Sequence, residues 1–171
     1  MSGHKFLQYL RVEGIGFLVA LTATVPLYTG FAKLLSPAAF REALLAQSLI
    51  PEPIVSQVAW GVILLEIVIG TSALWHIAGK GIIHRAVLML ASLFALFALY
   101  AGAMILFPPP APTGCGCTGS DVTDIADWGA ITWRNAATAA LLLVALPLTT
   151  DRLNAQTDTT EPPTPCAQTR H

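Results

Sequence analysis

The stretch that decides the fold is Pro53–Gly79, with the sequence PIVSQVAWGVILLEIVIGTSALWHIAG. Its only formally charged residue, Glu66, lies at the middle. About 20 consecutive apolar residues are enough to cross the hydrocarbon core of a bilayer. Trp60 and Trp75 lie towards the two ends, where tryptophan commonly anchors a helix at the membrane–water interface. The stretch therefore predicts a transmembrane helix.

Three other stretches of the chain have the same character, and composition supports the same class. They are residues 14–32, 86–107 and 133–148. Only 11% of the residues are charged, whereas roughly a quarter are charged in a soluble domain. The net charge of −1 gives no electrostatic case for nucleic-acid binding. We therefore expect an integral membrane protein whose first partner is the lipid bilayer.

The segments between these stretches predict two short helices. Ser36 is a suitable N-cap and Pro37 a suitable first helical residue, so a helix lying in the interface should connect the first two spans. Ser120 or Thr123 could cap a second short helix that ends at Trp128.

The predicted fold is all-α, an integral membrane bundle of four transmembrane helices with a short interfacial helix between the first two spans. We place this membrane domain at residues 1–150. The remaining residues, 151–171, are rich in Thr, Pro, Gln and Asp. That composition favours a disordered tail, which we expect on the cytoplasmic side.

The distribution of basic residues predicts the orientation, because short cytoplasmic loops carry an excess of Lys and Arg. Four spans place the two termini and the loop between the second and third spans on one side. That side has six of the nine basic residues: Lys5, Arg11, Lys80, Arg85, Arg152 and Arg170. The other side has Lys33, Arg41 and Arg134. We therefore expect both termini in the cytoplasm and the loop after the third span outside the cytoplasmic (inner) membrane.

That loop contains two cysteines, in the sequence Gly114-Cys115-Gly116-Cys117-Thr118-Gly119. A disulfide between Cys115 and Cys117 would close a very small ring, and strained exposed disulfides are the ones most easily reduced. Redox cycling with a thioredoxin-like partner is one interpretation. A static disulfide or two unreacted thiols is the other. Metal binding is less well supported, because two thiolates are half of a typical zinc site.

Glu66 is the second candidate site, since an ionised carboxylate inside a membrane helix is costly unless it is paired or protonated. It could carry protons or pair with a cation, or it could be a neutral group hydrogen-bonded to a neighbouring helix. Lys33, at the outer end of the first span, is the candidate cation.

Quinone is the one cofactor that the sequence leaves open, although no residue requires it. Tyr28 and Tyr100 could line a quinone pocket. Aromatic residues near helix ends are, however, usually interface anchors.

Three stretches together resemble the MauE/DoxX-type membrane proteins. Residues 30–40 resemble the G-x-x-K-L…P-x-x-F segment that follows the first helix of those proteins, and residues 66–70 resemble the E-L-x-L-G element of their second helix. Residues 115–119, followed by Arg134 and Asn135, resemble the C-G-C-F-G…R-N pattern of the methylamine utilisation branch, MauE. The resemblance covers about residues 12–148.

The resemblance implies a four-helix membrane bundle that handles thiol–disulfide exchange. For MauE itself, the resemblance implies a role in the maturation of disulfide-rich methylamine dehydrogenase, together with a thioredoxin-like partner. Cys115 and Cys117 would be the redox pair, and Lys33, Glu66 and Arg134 would be structural or gating positions. One departure is Thr118, which stands where the pattern has Phe and bears on partner docking.

Three functional hypotheses follow. The first is a membrane thiol–disulfide oxidoreductase, or its accessory subunit, that acts through Cys115 and Cys117 at the outer face and supports disulfide formation in a partner. The second is a non-enzymatic anchor or docking subunit of an oxidoreductase complex. The third is a DoxX-like, quinone-reactive subunit of sulfur metabolism. The sequence favours no particular oligomeric state.

Overall fold

The computed structural model describes residues 3–78, 83–110, 114 and 126–158, with side chains for residues 14–78, 83–110, 114 and 126–147. All secondary structure in these ranges is helical. The helices, in chain order, are α1 (Gly3–Leu35), α2 (Pro37–Gln47), α3 (Glu52–Ala78), α4 (Ile83–Leu106) and α5 (Trp128–Asp158).

Four of these helices are long and apolar enough to cross a bilayer, which confirms the predicted bundle. The candidate spans are Gly14–Leu35, Glu52–Ala78, Ile83–Leu106 and Trp128–Pro147. Large apolar side chains are exposed along all four, with Trp75 at 77% and Leu99 at 73% exposure. Such a surface is stable only against hydrocarbon, so the chain is a multi-pass membrane protein.

The short helix predicted after Ser36 is present as α2. Pro37 occupies its first turn, and the helix ends where Ser48 adopts the left-handed conformation (φ 55°). Phe40, Leu44 and Gln47 are buried along one face, which packs mainly against α3. This connecting helix therefore forms part of the bundle wall at the end where α1 leads into α2.

The last helix differs from expectation at both ends. The fourth span begins at Trp128, without a separate short helix ending there, because Asp127 caps α5 by accepting a hydrogen bond from the backbone N–H of Ala130 at 2.9 Å. The segment with Ser120 and Thr123 lies outside the described residues. At its other end α5 continues to Asp158, so helix extends into the predicted tail; residues 159–171 lie outside the described ranges.

The bundle core has two parts, one at each end. At the end where α3 leads into α4, most of the buried residues are small or branched. They come from all four spans and include Val19, Ala73, Leu90 and Leu142. At the opposite end a smaller cluster joins α2 to α3, through Phe40, Leu44, Val55, Ala59 and Ile63. Between these two parts the helices leave a cavity.

The helix pairs pack very unequally. α1 packs closely on α3, and α4 packs closely on α5, whereas α1 and α5 scarcely touch. The contact between α1 and α5 is consequently loose.

Candidate functional site

A buried ion pair joins the first two spans. Lys33 Nζ donates to Glu66 Oε1 at 2.5 Å, and the two side chains are 5% and 1% exposed. Lys33, the candidate cation for Glu66, is therefore its partner in the structure. A buried charge that lacks its partner is strongly destabilising, so the two groups stabilise each other at this depth.

Two aromatic rings complete the surroundings of the ammonium group. Lys33 Nζ lies 5.1 Å from the ring centroid of Phe40 and 5.8 Å from that of Phe97. These distances are in the range of cation–π interaction, which strengthens where water is excluded. Lys33 is thus held by groups on α2, α3 and α4.

Glycine at position 30 brings the two helices close enough for the pair to form. A Cβ atom added at Gly30 would lie 2.9 Å from Ile67 Cγ1 and 3.1 Å from Glu66 Cβ. Only a residue without a side chain allows this approach. Gly30 lies one turn before Lys33, so the close contact fixes the lysine beside the carboxylate.

One oxygen of this carboxylate has no partner among the described residues. Glu66 Oε2 is buried and accepts no hydrogen bond within the described part of the chain. The Thr29 hydroxyl lies near the carboxyl group, but its hydrogen bond goes to the carbonyl oxygen of Pro26 at 3.3 Å. A buried acceptor of this kind normally has a donor, so Glu66 Oε2 is the least satisfied polar atom of the pair.

The ion pair forms part of the wall of a cavity of about 300 Å³. This volume is at the lower end of the range of small-molecule sites, about 300–1,000 Å³. Most of the wall is apolar, and the polar side chains on it are Thr29, Lys33, Glu66, Tyr100, Arg134 and Asn135. A mainly apolar cavity with a few polar groups is typical of a ligand-binding site.

Arg134 and Asn135 reach this cavity from α5. Asn135 is buried, whereas Arg134 is exposed although it lines the cavity. The structure thus brings Lys33 and Glu66 into contact and places Arg134 on the wall of the same cavity.

Gln47 connects the cavity wall to the cysteine loop. Its Nε2 donates to the carbonyl oxygen of Gly114 at 3.0 Å, and its Oε1 accepts a hydrogen bond from the Tyr100 hydroxyl. Gln47 is 2% exposed, and Gly114 is also buried. The residue directly before Cys115 is therefore anchored to α2.

The two tyrosines proposed for a quinone pocket have different positions. Tyr28 is 67% exposed, as expected of a residue that faces lipid or the interface. Tyr100 is half-buried and lines the cavity.

The predicted redox pair itself, Cys115 and Cys117, lies outside the described residues. The structure describes the residue before the pair, Gly114, and the residues from 126 onwards.

Sequence reasoning missed Gln47, although a signal was available. Phe40, Leu44 and Gln47 are spaced at i, i+4 and i+7, which places them on one face of a helix. A glutamine on an otherwise apolar face indicates a buried amide that needs partners.

Comparison with known proteins identifies one family. The family model described as methylamine utilisation protein MauE matches residues 12–148, which include all four spans and the cysteine loop. No curated protein and no solved structure matches the chain.

Proposed function

Because the chain belongs to the MauE family of methylamine utilisation proteins, we propose that it exchanges disulfides with a partner protein through Cys115 and Cys117. The observation that carries this proposal is the hydrogen bond from Gln47 to Gly114. A loop whose base is anchored can present two thiols in a fixed position at the end of the bundle. The partner is a thioredoxin-like or other redox protein, and the exchange supports disulfide formation in it or its maturation.

The reaction transfers two electrons and two protons from the partner to the loop. A thiolate of the partner attacks one sulfur of the Cys115–Cys117 disulfide and releases the other sulfur as a thiolate. The second thiol of the partner then attacks the mixed disulfide. The partner leaves with a disulfide, and the loop is left as a dithiol. The strain of so small a ring favours this direction.

The proposal places the reaction at the outer face of the cytoplasmic membrane. Six basic residues on the side of the termini, against three on the other side, support this orientation. The contact between Gln47 and Gly114 joins α2 to the residue before Cys115, which supports placing α2 and the cysteine pair on the same side. Disulfides form and persist in the compartment that this end would face.

Trapping of the mixed disulfide tests the proposal. Cys115→Ser and Cys117→Ser each leave one thiol, which can attack the disulfide of the oxidised partner but cannot then resolve the mixed disulfide by closing the ring. At least one of these variants should accumulate a covalent complex that disappears on reduction. The Cys115→Ser/Cys117→Ser variant is the control and should insert normally without forming the complex. Absence of a complex from both single variants would contradict the proposal.

A docking role without redox chemistry is the second candidate, and the surface of α2 favours it. Arg41 and Glu42 are exposed beside the buried face of this helix, so a partner could bind there through charged groups. A stoichiometric partner that co-purifies equally well with the double serine variant would support docking. A complex lost in that variant would support thiol exchange.

A further inference from the structure

We propose that the cavity beside Lys33 and Glu66 binds a lipid-soluble quinone, which accepts the electrons that the cysteine pair collects. The source of the electrons rests on the proposed function. The binding site itself rests on described residues alone.

The cavity is accessible from the bilayer. Val25 and Leu96 line it and are 48% and 51% exposed. Both residues belong to membrane-spanning segments, so this part of the rim faces hydrocarbon. A ligand that enters here must be soluble in lipid.

The polar groups at the cavity wall match the head group of a quinone in both redox states. The Lys33 ammonium can donate a hydrogen bond to a quinone carbonyl oxygen. Glu66 Oε2 is almost completely buried and lacks a donor among the described residues, so a small side-chain movement must open it to the cavity before it accepts a hydrogen bond from a hydroxyl of the quinol. A phospholipid acyl chain would leave this oxygen buried without a partner, which is costly.

The wall is also linked to the base of the cysteine loop. Tyr100 lines the cavity and donates to Gln47, which in turn donates to Gly114. Two hydrogen bonds thus connect the cavity wall to the residue before Cys115. A quinone in the cavity would therefore lie against a wall that is joined to the residue before Cys115.

In the proposed step, the quinone oxidises the two thiols of the cysteine pair. The Cys115 and Cys117 thiols lose two electrons and two protons and form a disulfide bond. The quinone gains two electrons, its two carbonyl oxygens take up the two protons, and the product is a quinol. This step restores the disulfide that the partner protein consumes.

Binding is tested with decylubiquinone and menadione on purified protein in lipid nanodiscs. Tryptophan fluorescence is the readout, since quinones quench it. One protein retains Trp128, which lines the cavity, and has its other three tryptophans replaced by Phe. A second protein retains Trp60, which faces lipid. We expect at least one quinone to quench Trp128 saturably and Trp60 only in proportion to its concentration in the bilayer.

A matched pair of substitutions on α3 locates the site. Val58→Phe places a ring in the cavity, whereas Val68→Phe places it on the lipid-facing side, where Val68 is 58% exposed. Val58→Phe should weaken saturable quenching about tenfold because the ring occupies the binding volume. Val68→Phe should leave it unchanged. Equal, non-saturable quenching of both tryptophans, or saturable quenching that ignores Val58→Phe, would overturn the proposal. So would retention of a phospholipid that decylubiquinone and menadione fail to displace.

The two proposals fail separately. The Cys115→Ser/Cys117→Ser variant should still bind quinone, because binding requires no thiol. Thiol exchange with a partner but no quinone binding would overturn this inference alone. Quinone binding without trapping of a partner would overturn the proposed thiol exchange alone.

Discussion

Lys33 on α1 and Glu66 on α3 form an ion pair in which both side chains are at most 5% exposed. The pair lies on the wall of the cavity. The pair therefore joins two membrane-spanning helices and also supplies the polar groups beside which a ligand can bind.

The ion pair should show strong energetic coupling. Lys33→Met or Glu66→Leu alone leaves one buried charge without its partner, and we expect each to lower the free energy of unfolding by about 3–5 kcal/mol. The double variant Lys33→Met/Glu66→Leu removes both charges and should be close to wild type in stability. The free energy of unfolding of all three variants is measured in lipid or detergent. Single-variant losses that simply add in the double variant would show that the pair is not coupled.

Close packing of α1 on α3 should depend on Gly70 and not on Gly61. A Cβ atom at Gly70 would lie 2.6 Å from Leu27 Cγ and 3.1 Å from the carbonyl oxygen of Ala23. Gly70→Ala should therefore cost about 1–3 kcal/mol through overpacking. Gly61 has no atom within 4 Å of the added Cβ, so Gly61→Ala should not destabilise the protein. Thermal unfolding compares the stability of the two variants, and an equal loss of stability in both would contradict the described packing.

Anchoring of the loop base should control the reactivity of Cys115. Gln47→Leu removes the donor to Gly114, a bond worth about 1 kcal/mol, so the loop should open roughly fivefold more often. The rate of Cys115 alkylation in purified, reduced protein should therefore rise about fivefold. Gln57→Leu, at an exposed glutamine on α3, is the control and should leave the rate unchanged. An unaltered rate in Gln47→Leu would show that the contact does not position the loop.

The sequence predicted the four spans because each is a long apolar run, and hydrophobic length alone determines whether a helix crosses the bilayer. It identified Lys33 as a candidate partner of Glu66 for a similar reason, since a charge at that depth requires a partner, but it left a neutral Glu66 open. The start of α5 was misplaced because Trp128 and the cap at Asp127 precede the most apolar part of the helix.

The cavity could not be predicted, because it results from the unequal packing of helix pairs. Nothing in the order of residues shows that α1 and α5 scarcely touch. The role of Gln47 depends likewise on residues distant in sequence, Tyr100 and Gly114. The redox pairing of Cys115 and Cys117 stays a prediction, since both residues lie outside the described ranges.

An exchangeable disulfide at the outer face is tested most directly by measuring the redox state of Cys115 and Cys117 in intact cells. A membrane-impermeant maleimide is applied before and after mild reduction to a Cys166→Ser protein, which has no other cysteine. The account predicts that both thiols are labelled from outside only after reduction. Labelling that requires permeabilised cells, or full labelling without reduction, would contradict an exchangeable disulfide at the outer face.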